Sequence, residues 1–315
     1  MMRPVTSYVL RRLGQAAFIL WGAFTLTFVL LQVMPGDAVL VKFQDPDLGL
    51  TPQQIAAIRV AYGADASLPV QYLQTAGRVL RGDFGYSVQA GVPVRDLVAA
   101  ALPTTLRLAF CGLVCAVAGA AGLAVAVNLA PFRMLGAWLR MLPALWGAVP
   151  VFWFGIALIQ VVSFQLHLIP LIGVGPWVGM ILPALAISLP VAAPLAQVLL
   201  RAADDIQARP FVTVARMKGA DRARVLFRHV APNAILPFLT VAGLVFGELL
   251  AGAVVTETIF GLNGLGQLTQ QAVAGQDVSV LQAIVLISAL GFVIINFCID
   301  LLYPLLDPRL RGRRG

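Results

Sequence analysis

Two carboxylates stand out because they interrupt apolar sequence: Glu248 and Glu257 are the only charges between residues 230 and 260. A charge removed from water is expensive, so such a group is either hydrogen-bonded, paired, or placed to meet a moving ligand. Asp300 ends a third apolar run and could pair with a basic residue at its margin. Cys111 and Cys115 lie four apart, as a metal pair on one helix face would. No histidine or acid falls within a turn or two of them, so small apolar filler is the better reading. His167 and His229 lie on opposite sides of the membrane in the topology below, so they form no metal site together. Neither Lys42 nor Lys218 sits in a Gly-x-x-x-x-Gly-Lys-Ser/Thr loop, and HExxH and GxSxG are missing. No catalytic residue, metal site or directly bound cofactor is therefore expected.

The elements that hold these residues follow from composition. Of 315 residues, 60% are apolar and 11% charged, with a mean hydropathy of +0.90. A water-soluble core of this length cannot absorb that much apolar surface, and disorder needs the opposite composition. Most of the chain is expected to lie in lipid. The net charge of +8 does not point to nucleic acid, because the basic residues flank apolar runs instead of forming one stripe. Three cysteines give no disulfide framework.

A membrane-crossing helix needs about 20 apolar residues. Residues 13–36, 108–132, 141–200 and 278–299 carry no formal charge. The long third run holds two spans, with a turn at His167-Leu168-Ile169-Pro170 and Gly173, Gly175 and Pro176. The expected architecture is all-α, a polytopic membrane protein with six transmembrane helices at about 13–33, 106–128, 138–162, 179–201, 236–258 and 280–303. Pro183, Pro190 and Pro194 give the fourth span freedom to bend. The first span follows basic residues but is long and lacks a small-x-small cleavage site, so it is read as retained.

Arginine sets the orientation. With both termini inside, the inner segments hold Arg3, Arg11 and Arg12, Arg133 and Arg140, Arg201 to Arg228, and Arg309 to Arg314. The two short outer connections hold no lysine or arginine. The domains are then a first tail and span (1–33), an outer helical insert (34–105), and a transmembrane core (106–315) with a basic inner loop at 202–236.

Both polar segments show helix signals. Thr51-Pro52-Gln53-Gln54 is a capping pattern, with Ile55, Ile58 and Tyr62 on one face and Gly63 as the stop. A second outer helix begins near Pro69, with Val70, Leu73, Gly77 and Leu80 on one side. The inner loop reads as a helix through Arg216 and Lys218, a break at Gly219, and a second basic helix closed by Pro232 and Pro237. Such a loop suits either an anionic lipid surface or insertion into a groove of a soluble partner.

The inner loop resembles the "EAA" loop of ABC importer permeases, which has Glu-Ala-Ala, three residues, Gly, and proline thirteen residues later. Here Thr213-Val214-Ala215, Gly219 and Pro232 stand in that register; the glutamate and first alanine are replaced. Gly82-Asp83-Phe84-Gly85-Tyr86-Ser87, Leu102-Pro103-Thr104-Thr105-Leu106, Glu257-Thr258-Ile259-Phe260, Gly264-Leu265-Gly266 and Leu306-Asp307-Pro308-Arg309-Leu310-Arg311 resemble the dipeptide, oligopeptide and nickel permeases. The likeness runs in order over nearly the whole chain.

The resemblance implies an inner-membrane subunit that passes substrate while two cytosolic ATPase subunits consume ATP and Mg. A second, related permease and an extracytoplasmic solute-binding protein complete the assembly. It assigns ATPase coupling to Ala215, Arg216, Lys218, Gly219, Ala220, Asp221, Arg222 and Pro232. Small peptides are the expected cargo, with nickel or metal chelates as the alternative; a proton-coupled carrier using Glu248 and Asp300 is the rival of another class. Glu248 lies about 18 Å into the fifth span. It serves either the pathway and its gate, with Asn296, or a structural hydrogen bond to Asn296, Ser288 or the partner permease. Glu257, Gly264 and Gly266 are expected to shape a wet return loop on the outer face.

Overall fold

A computed structural model describes residues 3–33, 51, 53–54, 67–171 and 173–306, and these contain helices but no strand. The chain divides into two compact units, Met1–Thr104 with Asn263–Val293, and Thr105–Leu262 with Ile294–Gly315.

In the first unit, helix α1 (Arg3–Val33) carries the first span. Thr51 and Gln54 make the anticipated capping box: Thr51 N and Oγ1 donate to Gln54 Oε1 at 2.8 and 3.0 Å, and Gln54 N donates back to Thr51 Oγ1 at 3.4 Å. The helix body expected after it, with Ile55, Ile58, Tyr62 and Gly63, lies outside the described residues. Helix α2 (Leu68–Val79) starts with a proline in its first turn, as read. Its packing face differs from the sequence reading. Tyr72 lies against Phe24 and Phe28 of α1, with ring centroids 5.2 and 5.3 Å apart. The Tyr72 hydroxyl also accepts from Trp21 Nε1 at 3.0 Å and lies 2.8 Å from Thr25 Oγ1. An aromatic ring with a polar tip outcompetes the leucines for that face, and Leu73 and Leu80 are left exposed.

Helix α3 (Val94–Leu129) starts a dozen residues before the expected span. Val94, Val98 and Ala101 recur at helical spacing and are buried against Leu265, Val280 and Ile284, so tertiary packing carries the helix through Pro103.

In the second unit the third expected span is corrected. Helices α4 (Arg133–Leu139), α5 (Leu142–Ala148) and α6 (Val151–Leu158) replace a single rod, and a π-helical turn at Ile159–Gln165 continues α6. The chain turns by 99° at Val149 and Pro150, which are both extended. Proline lacks the N–H that would continue the helix and pushes its predecessor out of the helical region. Five described helices are long and apolar enough to cross a membrane, and a sixth if this bent pair counts as one span.

Helix α7 (Ile181–Gln207, entered by a 3-10 turn at Val178–Met180) is the most enclosed of the five candidate spans. After α8 (Pro210–Met217), helix α9 (Arg222–Val225) passes through a π turn at Leu226–Val230 into α10 (Ala231–Phe260). The second basic helix is therefore not closed by prolines. Pro232 falls in the first turn of α10 and Pro237 lies within it. Helices α11 (Leu265–Ala274) and α12 (Val278–Leu306) follow.

Small residues set the spacing of α3, α7 and α10. A Cβ at Gly112 would lie 2.7 Å from Ile187 Cγ2 and 3.3 Å from Leu249 Cδ2. Gly112→Val should therefore cost about 1–3 kcal/mol by overpacking, read as a lower melting temperature in detergent; an unchanged melt would contradict this packing.

Candidate functional site

The basic segment is built around a glycine that the backbone requires. Helix α8 ends with Gly219 at φ +85, in the left-handed region. Gly219 N donates to Arg216 O at 2.9 Å and Ala220 N to Ala215 O at 3.1 Å, the two bonds of a Schellman end. Nothing lies within 4 Å of a Cβ built on Gly219, so the conformation alone demands glycine. Asp221 then caps α9, its Oδ1 accepting from Arg224 N at 3.0 Å. This fixes the angle between α8 and α9.

The segment is also anchored to the helices above it. Val212 is fully buried in a cluster with Ala203, Val225, Leu226 and Val230. Arg216 Nη2 donates to Gln207 Oε1 at 2.9 Å, Gln207 Nε2 donates to Asn128 Oδ1, and Asn128 Nδ2 donates to Ala124 O at 2.7 Å. Arg222 Nη1 donates to Ala130 O at 3.0 Å. A forked ion pair joins Arg140 to Asp204 at 2.7 and 2.9 Å. The ends of α3 and α7 are thus hydrogen-bonded to the segment.

Nothing among the described residues covers the opposite side of the segment. Phe211, Val214 and Met217 repeat every third residue of α8 and are exposed, Met217 by 82%. Lys218, Asp221 and Pro232 are exposed as well, and Ala215 and Ala220 are half-buried. An apolar stripe rimmed by basic side chains suits contact with a folded partner.

The two intramembrane acids exchange the environments expected of them. Glu257 is fully buried, and Thr105 Oγ1 donates to its Oε1 at 2.6 Å. It belongs to α10, not to a wet loop; its carbonyl accepts from Leu262 N at 2.8 Å beyond the left-handed Gly261 that ends the helix. Gly264 precedes α11 in an extended conformation, and Gly266 is buried within that helix. The expected glycine loop is thus short and feeds directly into a helix. Glu248 is instead exposed on α10, beside exposed Leu244, and has no hydrogen bond or ion pair among the described residues. Asn296 faces Gly243, where a Cβ would stand 3.3 Å from its Oδ1, and is not bonded to Glu248. The side chain of Asp300 and residues 307–311 lie outside the described residues.

Sequence reading missed Gln207, Asn128, Thr105 and the Arg140–Asp204 pair. Their one signal is position, since each is a polar residue at the margin of an apolar run. It also missed Ser87, which is buried and donates to buried Asp277 at 2.6 Å.

Comparison with known proteins gives concordant matches. Residues 118–312 match the family described as "Binding-protein-dependent transport system inner membrane component", and residues 5–109 match the corresponding N-terminal membrane-component family. A probable peptide ABC transporter permease protein, y4tP of Sinorhizobium fredii, is 35% identical over 96% of this chain and 99% of its own length. The glutathione transport system permease protein GsiC of Escherichia coli K12 is 34% identical over 97% and 99%. Among solved structures, the MetNI methionine ABC transporter superposes with TM-score 0.54 at 14% identity, covering 67% of this chain and 96% of that one. An amino acid ABC transporter gives 0.51 at 18% identity, covering 66% and 93%. At such identities these two structures speak for the fold alone.

Proposed function

The chain belongs to the binding-protein-dependent transport system inner membrane component family, the membrane-spanning permeases of ABC importers, and on that premise we propose that it forms a pathway for small peptides. The peptide assignment follows the relatives, of which one is a probable peptide permease and another a glutathione permease. A soluble binding protein would deliver the peptide outside, two ATPase subunits would bind beneath, and a related second permease would complete the pathway. Both termini lie on the cytoplasmic side in this reading, as the arginine distribution supports.

The observation that carries the mechanism is the anchored segment with its bare stripe. Phe211, Val214 and Met217 would enter a groove on the ATPase. Ala215, Arg216, Lys218, Gly219, Ala220, Asp221, Arg222 and Pro232 belong to the coupling unit around them. Rotation of the ATPases would pull α8, and the Arg216–Gln207–Asn128 chain would pass that movement to α7 and α3. The helices would then rock between outward-open and inward-open states.

Glu248 is assigned to the pathway or to the seam with the second permease. It lies about 18 Å of helical rise before Phe260, near mid-membrane. A carboxylate facing hydrocarbon at that depth would cost about 3 kcal/mol. A water-filled pathway or a polar neighbour removes that cost. Asn296, bonded within the protomer's own packing, is given the lesser role of holding α12 against α10.

The assembled importer in proteoliposomes should accumulate a labelled tripeptide only when ATP and the binding protein are both supplied. Accumulation without ATP, driven by a proton gradient, would refute this reading in favour of a carrier.

A further inference from the structure

Where the basic segment meets the ends of α3 and α7, a cavity of about 400 Å³ opens among Asn128, Gln207, Arg216, Ala220, Arg222 and Leu226. Its chemistry is lopsided. Two guanidinium groups and two amides line one part, apolar side chains line the rest, and no acid is present. Neither Arg216 nor Arg222 forms an ion pair among the described residues; their bonds go to the neutral Gln207 and to the Ala130 carbonyl. Of the acids close in sequence, Asp204 pairs with Arg140, Asp221 caps α9, and Asp205 is exposed and does not line the cavity. Each guanidinium has five N–H donors, and the bonds to Gln207 and Ala130 engage one nitrogen of each. Arginine pairs held this way match the forked oxygens of a phosphate group.

We propose that this cavity binds a phosphate-bearing anion, supplied either by the headgroup of an acidic phospholipid or by free phosphate. The cavity lies at the ends of the apolar helices α3 and α7, which the proposed topology puts beside the cytoplasmic headgroups, and its apolar part suits the glycerol and first methylenes of a lipid. Basic pockets at the cytoplasmic ends of membrane helices take anionic headgroups on the same grounds. Bound there, the anion neutralises the charge between α8 and the bundle and joins the coupling segment to the leaflet. The site is independent of which substrate the permease passes.

The test uses the intact importer, purified in mild detergent and titrated with phosphatidylglycerol or phosphatidylethanolamine under native mass spectrometry. Phosphatidylglycerol should be retained preferentially, and Arg216→Gln/Arg222→Gln should weaken retention about tenfold or more. Arg224→Gln/Arg228→Gln, which removes two neighbouring charges outside the cavity, should change it by less than about twofold. Ala220→Leu keeps both arginines and fills the space, so it should lower retention as well, which covers the case in which the double variant fails to assemble. Inorganic phosphate binding with the same dependence on Arg216 and Arg222, without lipid retention, would support the site and identify free phosphate as its source. Equal losses in both double variants would overturn the proposal. So would no arginine-dependent binding of either probe, as when an ATPase carboxylate fills the cavity.

Discussion

Replacing Gly219 with valine should reduce ATP-driven uptake at least tenfold while the chain remains in the membrane and the ATPases continue to turn over. The reason is conformational. A β-branched residue at φ +85 costs at least about 1–2 kcal/mol, and relief of that strain changes the angle between α8 and α9. A Cβ at Gly219 meets nothing within 4 Å beyond its own chain neighbours, so the cost arises in the local backbone and not from tertiary crowding. Gly219→Asn is the control, since asparagine tolerates the left-handed region. It should retain most of the uptake. Uptake measured beside ATP hydrolysis separates the outcomes: equal activity of valine and wild type would remove the hinge from the mechanism, and equal loss in asparagine and valine would remove the backbone explanation.

Glu248 and Glu257 should give a crossed pattern. Glu248→Gln removes an exposed charge that has no hydrogen bond or ion pair among the described residues, so it should slow peptide uptake about tenfold and leave the melting temperature unchanged. Glu257→Ala takes away the acceptor for the buried Thr105 hydroxyl and opens a void in a sealed site. A loss of about 2–4 kcal/mol is expected, seen as a lower melting temperature and less protein in the membrane. Melting in detergent and uptake normalised to protein amount decide between them. A destabilised Glu248→Gln variant, or a fully stable Glu257→Ala variant, would show that the two environments are assigned the wrong way round.

Runs of uncharged sequence made most spans legible, because lipid imposes one rule on every helix that crosses it. The register of packing was less legible. Both faces of a membrane helix are apolar, so periodicity could not show that Tyr72 and not Leu73 turns toward α1, or that Glu257 is enclosed while Glu248 is bare. Sequence alone reads proline in two ways, as a stop at Pro232 and Pro237 and as a bend within a continuous fourth span, and it carries the third span straight through Pro150. Proline does break the chain at Pro150, yet α3, α7 and α10 accommodate Pro103, Pro190, Pro194 and Pro237 because tertiary packing holds them. The inner loop was the most legible functional feature, since a left-handed glycine and an aspartate cap leave local signatures at Gly219 and Asp221. The chain from Arg216 through Gln207 to Asn128 joins residues 79 and 9 positions apart, and no local pattern encodes it.

The central claim is that ATP drives this permease through a partner seated on the α8 stripe. Affinity purification of the tagged chain from mild detergent, with mass spectrometry of everything retained, tests it most directly. A second six-span permease and one or two P-loop ATPases should stay bound, and Met217→Asp on the exposed stripe should release the ATPases while keeping the second permease. Recovery of the chain alone, in a form that still transports in liposomes without ATP, would contradict the account.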